Sequence, residues 1–293
     1  MAALALEVQN SHNIEVTTAV QQNFKGQDQP FFGETACGRR YFGIWDGHGS
    51  DSVITELRSY MVNGKLAEFM EETSPVCAVA NELLRKNICK SYESSGATMN
   101  CGILEGNVLK CINCGDSRMF VFRNGELLFQ SDEHSALNEK ERARLGDKVT
   151  YEKSRNIKMV DKNKIIAVYS EYVQMKNGNH LAVTQALGHN GNLPPFPEVY
   201  EIEIGPTDEI VAVSVSDGVT DMLCYDEQEN IVPQDTKMLY ELSAEELKNK
   251  IQERWLQQWT MVSLNGEEHH GIKYEKTDCD DVGITRFVMR PKE

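Results

Sequence analysis

"ATMNCGILEGNVLKCINCGDSRMFVFRNGELLFQ", residues 97–130, holds four strand-like runs in immediate succession. Ala97–Leu104, Val108–Cys114 and Met119–Arg123 are rich in apolar, aromatic and β-branched residues, and Gly, Asn and Asp punctuate them. Asn124-Gly125 is a dipeptide that tolerates positive φ at both positions, so it closes a tight hairpin into a returning strand at Glu126–Gln130. Runs of strands joined by hairpins argue for antiparallel sheet.

Outside this block the pattern alternates. Tyr41–Trp45 reads as a strand, 51–72 and 76–92 as two helices with Leu83, Leu84 and Ile88 at helical spacing, and Asn138–Leu145 as a short charged helix. Further strands are expected at Leu181–Thr184, Val199–Ile204, Ile210–Val215 and Val282–Met289. Ser243-Ala-Glu-Glu246 is a capping box opening a helix with an apolar stripe of Leu247, Ile251, Trp255 and Trp259. Paired helices inserted among hairpin-linked strands define an α+β fold with antiparallel sheets and one core, not a doubly wound fold. Residues 1–20 carry no strong pattern and are set apart as a segment of uncertain order; 21–293 reads as a single domain.

The 293 residues carry 45 acidic and 30 basic side chains, a net charge of −15. Such a chain repels nucleic acid and anionic membrane, so neither is an expected partner. No apolar run approaches the ~18 residues of a membrane helix, and the first residues lack a secretory pattern. Eight cysteines (37, 77, 89, 101, 111, 114, 224, 279) are scattered through a chain too large to need staples. The expectation is free thiols in a reducing compartment, cytoplasmic or nuclear, and not secreted. Cys111-Ile-Asn-Cys114 has CxxC spacing but lies in a strand-like run, where residues three apart face opposite sides, so no zinc or redox role is expected.

Four strands share one feature, a carboxylate at the mouth. Tyr41–Trp45 runs into Asp46-Gly47-His48-Gly49, and Val108–Cys114 into Gly115-Asp116-Ser117. Ile210–Ser216 runs into Asp217-Gly218, with Asp221 four residues on, and Asp278-Cys-Asp280-Asp281 precedes Val282–Met289. Any one Asp here is explained as a turn residue or helix cap. Four in separate turns of an acidic chain point to oxygen ligation of a hard cation, magnesium or manganese. Carboxylates around paired ions clamp a phosphate and activate water, which is phosphohydrolase chemistry.

The order and wording of these turns resemble the type 2C (PPM) magnesium/manganese-dependent Ser/Thr protein phosphatases. "YFGIWDGHGS" is similar to that family's strand-DGHGG motif, and "SGATMNCGILEGNVLKCINCGDSRMFVFRNGEL" to its SGSTA…GDSR block. "SDEHSALNEKERARL", "HLAVTQALG", "DEIVAVSVSDGVTDML" and "TDCDDVGIT" follow in order, so the resemblance runs from about Gln22 to Arg290. It implies a sandwich of two antiparallel sheets flanked by helices, with a binuclear magnesium or manganese site at one end and a weaker third ion. It implies that Asp46 bridges two metals, that Gly47 offers its carbonyl, and that Asp217 and Asp280 complete one shell. Asp116 with Asp217 would hold the third ion, Asp28 would belong to an acidic pair near the N-terminus, and His48 would protonate the leaving alcohol. The implied reaction is hydrolysis of phosphomonoesters by a metal-activated water, with phosphoserine and phosphothreonine proteins as partners. A monomer is expected.

Departures from the family pattern keep two other readings open: a weak or inactive pseudophosphatase acting as a binding module, and a phosphatase of small molecules. Gln27 replaces the Glu of the acidic pair, and Asn23 stands where an Arg would clamp phosphate, with Lys25 as a substitute charge. His189 replaces the Asp of ALGD, Gln185 an Arg, Thr220 a Trp and Asp281 an Asn. Residues 146–179 form a longer, variable flap with seven basic against four acidic residues, read either as a solvated loop or as a basic flap steering acidic phosphopeptides.

Overall fold

The central strands alternate in two directions at once, which builds a layered sandwich. The computed structural model describes residues 11–292 apart from 24, 87–93, 176, 177, 179 and 227–229. The first sheet has the order β1 (His12–Gln21), β17 (Val282–Pro291), β14 (Ile210–Val215), β7 (Arg118–Arg123), β8 (Glu126–Gln130), with every pair antiparallel. The second runs β12 (Leu187–Gly188), β4 (Ser95–Ala97), β3 (Arg40–Gly49), β5 (Met99–Glu105), β6 (Val108–Cys114), β13 (Glu198–Glu203), and β2 (Asp28–Glu34) lies on the other side of β3. Asn124 and Gly125 take φ of 52° and 88°, so the β7–β8 hairpin closes as its residues dictate.

Between the sheets lie Phe42, Leu109, Met119, Val121, Ala212 and Phe287; the Phe42 and Phe287 rings stack at 4.7 Å. On the opposite face of the first sheet, Phe120, Phe122 and Val213 meet helices α6 (Pro233–Glu241) and α7 (Ala244–Leu256) through Leu239, Leu247 and Ile251. On the outer face of the second, Phe31, Tyr41 and Trp45 pack on α1 (Ser52–Val62), α2 (Lys65–Phe69) and α3 (Pro75–Arg85). Burying each such aromatic or branched side chain contributes roughly 1.5–3 kcal/mol. Among the described residues the other α-helices are α4 (Glu139–Leu145) and the single turn α5 (Asp217–Thr220).

Several sequence expectations need correction. The run through Asp46 does not end the strand, because β3 continues to Gly49. It changes partner instead, pairing with β5 through Ile44 and with β4 from Gly47 to Gly49. Three helices replace the expected 51–72 and 76–92, since Gly64 (φ 79°) splits the first, while Pro75 opens the last; Ile88 and Cys89 lie outside the described residues. The Ser243–Glu246 capping box is formed, but its helix stops at Leu256. Trp259 starts β15 (Trp259–Val262), yet stays buried in the same cluster as Trp255. Leu181–Thr184 is a strand only at its start, β11 (His180–Leu181), with Val183 bridged to Ser135. Residues 12–20, set apart in sequence, run antiparallel along β17.

The flap is not an open loop. β9 (Thr150–Asp161) and β10 (Lys164–Gln174) form a long hairpin, in a third sheet with β11, β15 and β16 (Glu268–Ile272). Met159 and Ile165 are buried beside Trp259, so apolar residues spaced along the hairpin fasten its turn end to the core.

Candidate metal centre

Strand parity aims the chemistry. Residues 42, 44, 46 and 48 project to one face of β3. Phe42 there packs on the first sheet, and Asp46 and His48 follow it to the end of the sandwich. Where β3 leaves β5, the Thr98 N–H donates to the Asp46 carbonyl at 2.8 Å, and the Asp46 N–H donates to Thr98 Oγ1 at 3.2 Å. That exchange holds the Asp46 backbone at the change of partner.

The other carboxylates arrive from strand ends. Asp28 stands opposite Asp46 in the β2–β3 ladder, buried, accepting from Ser216 Oγ at 2.6 Å. Asp116 follows β6, and Asp217 opens α5 with its N–H 3.5 Å from Asp46 Oδ2. Carboxylate oxygens of Asp46, Asp116 and Asp217 lie within 4.8 Å of one another. Gly218 permits this: a Cβ there would sit 2.0 Å from the Asp281 carbonyl oxygen, while the real Gly218 carbonyl accepts from Trp255 Nε1 at 2.8 Å. The capped helix α7 thereby anchors the turn that carries Asp217.

Asp280 lies close enough for its charge to act on Asp46, Asp116 and Asp217. Its loop is fastened by the chain between β1 and β2. The Asp281 carboxylate accepts from the Asn23 N–H at 2.7 Å and the Gln27 N–H at 2.8 Å, using one oxygen for each. An Asn there would offer a single acceptor oxygen, so Asp281 suits two donors. Asn23, expected at a phosphate clamp, instead donates its Nδ2 to the Asp280 carbonyl at 2.6 Å and to Gln252 Oε1 at 3.1 Å. Gln27 donates to Gly49 O at 3.1 Å and Asp51 Oδ1 at 2.6 Å, and its buried Oε1 is unpartnered. Gly47 sits in the β3–β4 ladder with its N–H on Gln27 O at 3.3 Å.

Among the described residues no Lys or Arg forms an ion pair with Asp28, Asp46, Asp116 or Asp217. Burial foremost, then neighbouring carboxylates, raises Asp46 and Asp217 well above the usual carboxylate range. For Asp28, burial and the charges of Asp217, Asp281 and Asp280 outweigh the lowering bond from Ser216. Burial and Glu133 push Asp116 up to about 7. Clustered carboxylates in low dielectric, with no ion-paired Lys or Arg among the described residues and only the charge of Lys25 lowering Asp116, fit divalent metal ions. Asp221 joins them: part of its surface is exposed, but the protein packed around its carboxylate, foremost, and the charges of Glu133, Asp280 and Asp116 raise it to about 8. The signal for it was its place one helical turn after Asp217. Tyr172 of β10 is raised by burial and by Asp221, Asp116 and Asp217, which places the hairpin beside the cluster. His48 is lowered well below the usual imidazole value by burial, by His189 and by the charge of the exposed Lys25.

Comparison with known proteins agrees with this architecture. The sequence pattern of the family described as protein phosphatase 2C matches residues 10–257. The chain belongs to the protein phosphatase 2C family. It is 31% identical to protein phosphatase 1B of Mus musculus over 220 residues, 64% of this chain and 51% of that protein. It is 26% identical to the probable protein phosphatase 2C 76 of Arabidopsis thaliana over 207 residues, 65% of this chain and 43% of that one. The chain thus spans about half or less of these relatives' length. In fold it resembles the S. agalactiae serine/threonine phosphatase, with TM-score 0.54 at 17% identity, covering 96% of this chain and 100% of that one. It also resembles the catalytic domain of the serine/threonine protein phosphatase PstP in complex with two manganese ions, with TM-score 0.50 at 17% identity, covering 95% of this chain and 99% of that one.

Proposed function

We propose that this chain is a metal-dependent protein Ser/Thr phosphatase, hydrolysing phosphomonoesters at a binuclear magnesium or manganese site. The observation that carries it is the convergence of the Asp46, Asp116 and Asp217 carboxylates within 4.8 Å, with no Lys or Arg ion-paired to them among the described residues. Asp46, Gly47, Asp217 and Asp280 would hold the two principal ions, Asp116 and Asp221 a weaker third, and Asp28 the supporting ring of hydrogen bonds. Bound ions would supply charge against the phosphate dianion and lower the pKa of a water. His48, two residues beyond Asp46 on the same face, would give its proton to the departing serine or threonine oxygen. Family membership and the fold likeness to the two-manganese PstP catalytic domain support this reading, as do the phosphoprotein substrates the family name implies. The seven described cysteines are all free, which supports a reducing compartment, cytoplasm or nucleus, and a monomer is proposed.

One observation favours a second reading. Asn23 is committed to the Asp280 carbonyl, so no Arg reaches the phosphate from that segment. A non-catalytic family member that binds metal and a partner would look the same. Turnover of p-nitrophenyl phosphate with manganese, abolished by chelator, supports the phosphatase. Manganese binding by calorimetry without turnover of any phosphomonoester would establish the non-catalytic member.

A further inference from the structure

His189 follows directly on β12 at the edge of the second sheet, and the fold takes trouble to hold it there. It is fully buried and sits at φ +47°, followed by Asn190 at +52°. Two successive non-glycine residues in the left-handed region are strained, and such strain persists only where surrounding structure fixes it. The fixing is visible. β12 pairs Leu187 and Gly188 with Ala97 and Gly96, and the Asn192 N–H and side-chain amide both donate to the His189 carbonyl, at 3.0 and 2.8 Å.

The strain delivers an imidazole to an imidazole. His48 Nε2 and His189 Nε2 lie 2.7 Å apart, and the rings are nearly parallel, 13° between planes with centroids 4.8 Å apart. Both rings cover Gly96, which faces His48 across the β3–β4 ladder. A Cβ at Gly96 would lie 2.2 Å from His189 Nε2 and 2.6 Å from His48 Nε2, so the missing side chain makes the space that the pair fills. At this separation one Nε2 donates and the other accepts; both cannot carry a proton toward each other. His48 Nδ1 has no hydrogen-bond partner among the described residues.

We propose that His189 is a positioning residue for His48: it engages His48 Nε2 and so leaves Nδ1 as the atom that hands the proton to the leaving alcohol. This rests on the phosphatase reading above. In the step, a water oxygen bonds to phosphorus and the phosphorus–alcohol oxygen bond breaks. His48 acts as the imidazolium, its Nε2–H donating to the Nε2 lone pair of neutral His189. The alcohol oxygen takes the Nδ1 proton, which leaves a neutral His48 ring still donating from Nε2, and the water's proton passes to solvent, from which Nδ1 is reprotonated. The His48 Nε2–His189 contact holds the ring throughout.

The test compares His189→Asn and His189→Gln with wild type, on a phosphoserine peptide and on p-nitrophenyl phosphate with manganese. Asn tolerates the left-handed backbone but is too short to meet His48, whereas Gln has the reach and can donate or accept. His189→Asn should lower kcat on the peptide by about 10–100-fold at unchanged KM, a part of what a general acid contributes. The aryl phosphate should lose much less, since a phenolate leaves without a proton, and His189→Gln should recover part of the loss. Independently of activity, ¹⁵N spectra should show both His48 ring nitrogens shifting in His189→Asn. Equal losses on both substrates, no loss on the peptide, or unmoved His48 signals would overturn the proposal. If wild type hydrolyses neither substrate, the phosphatase reading falls, and the ¹⁵N shifts alone decide the pairing.

Discussion

Two regions of this molecule draw aspartates away from water, Asp235 fully and Asp46, Asp116 and Asp217 in part, and they do so on opposite terms. Asp235 of α6 meets Arg254 of α7 through two bonds of 2.6 and 2.8 Å and also accepts the Cys224 N–H at 2.7 Å. Every charge there has its counter-charge within the chain, and the effect is to join two helices to the loop before them. At the end of the sandwich, Asp46, Asp116 and Asp217 face each other, and among the described residues none of them has such a partner. Desolvation penalises both arrangements, but only the first is compensated from within. A folded chain that tolerates the second has left room for a cation to do the compensating.

The comparison can be broken in order of expected effect. Asp217→Asn should abolish phosphatase turnover, because it takes charge out of the metal shell, while raising the melting temperature of the metal-free protein by relieving repulsion. Assay and calorimetry of one preparation decide it; a melting temperature that drops instead would make Asp217 a structural residue like Asp235. His48→Gln should slow phosphoserine peptides by roughly 10²–10⁴-fold and aryl phosphate far less. A uniform loss across leaving groups would argue that the ring merely supports the turn.

Asp235→Ala should cost about 3–5 kcal/mol in urea unfolding, since it strands the buried Arg254 charge, while the surviving folded fraction keeps its specific activity. The smallest effect concerns pH. Asp116 holds its proton up to about 7 against a usual value of 3.8, so over that window the folded state binds a proton the unfolded chain has lost. Metal-free stability therefore declines as pH rises from about 4 toward 7, and the raised Asp46 and Asp217 steepen the decline. Manganese replaces those protons, so the gap in melting temperature between loaded and metal-free protein should widen with pH. A gap independent of pH would place the ions elsewhere.

Much of the architecture was legible in residues. Strand alternation over 97–130, the Asn124-Gly125 turn and the Ser243 capping box are local signals, and local physics honoured them. β1 and β2 escaped because their runs mix polar and apolar residues; β1 is held by pairing with β17, the other end of the chain. Trp259 shows the same limit from the other side, since helical spacing continued past the point where pairing with β10 and β16 took over.

Within the site, sequence pattern picked out Asp46, Asp116, Asp217 and Asp280 as carboxylates at strand mouths. It could not reveal that Asn23 serves the Asp280 loop, that Asp281 receives two backbone donors, or that His189 meets His48. These are contacts between positions 141 to 258 residues apart, and distance along a chain carries no information about distance in space. What the sequence by itself determined is which residues can turn, pair, cap and ligate, because those preferences belong to single side chains and their neighbours. What only the tertiary structure decided is which of them meet. Like charges gather, and two imidazoles touch, only where the buried sandwich holds their backbones in place.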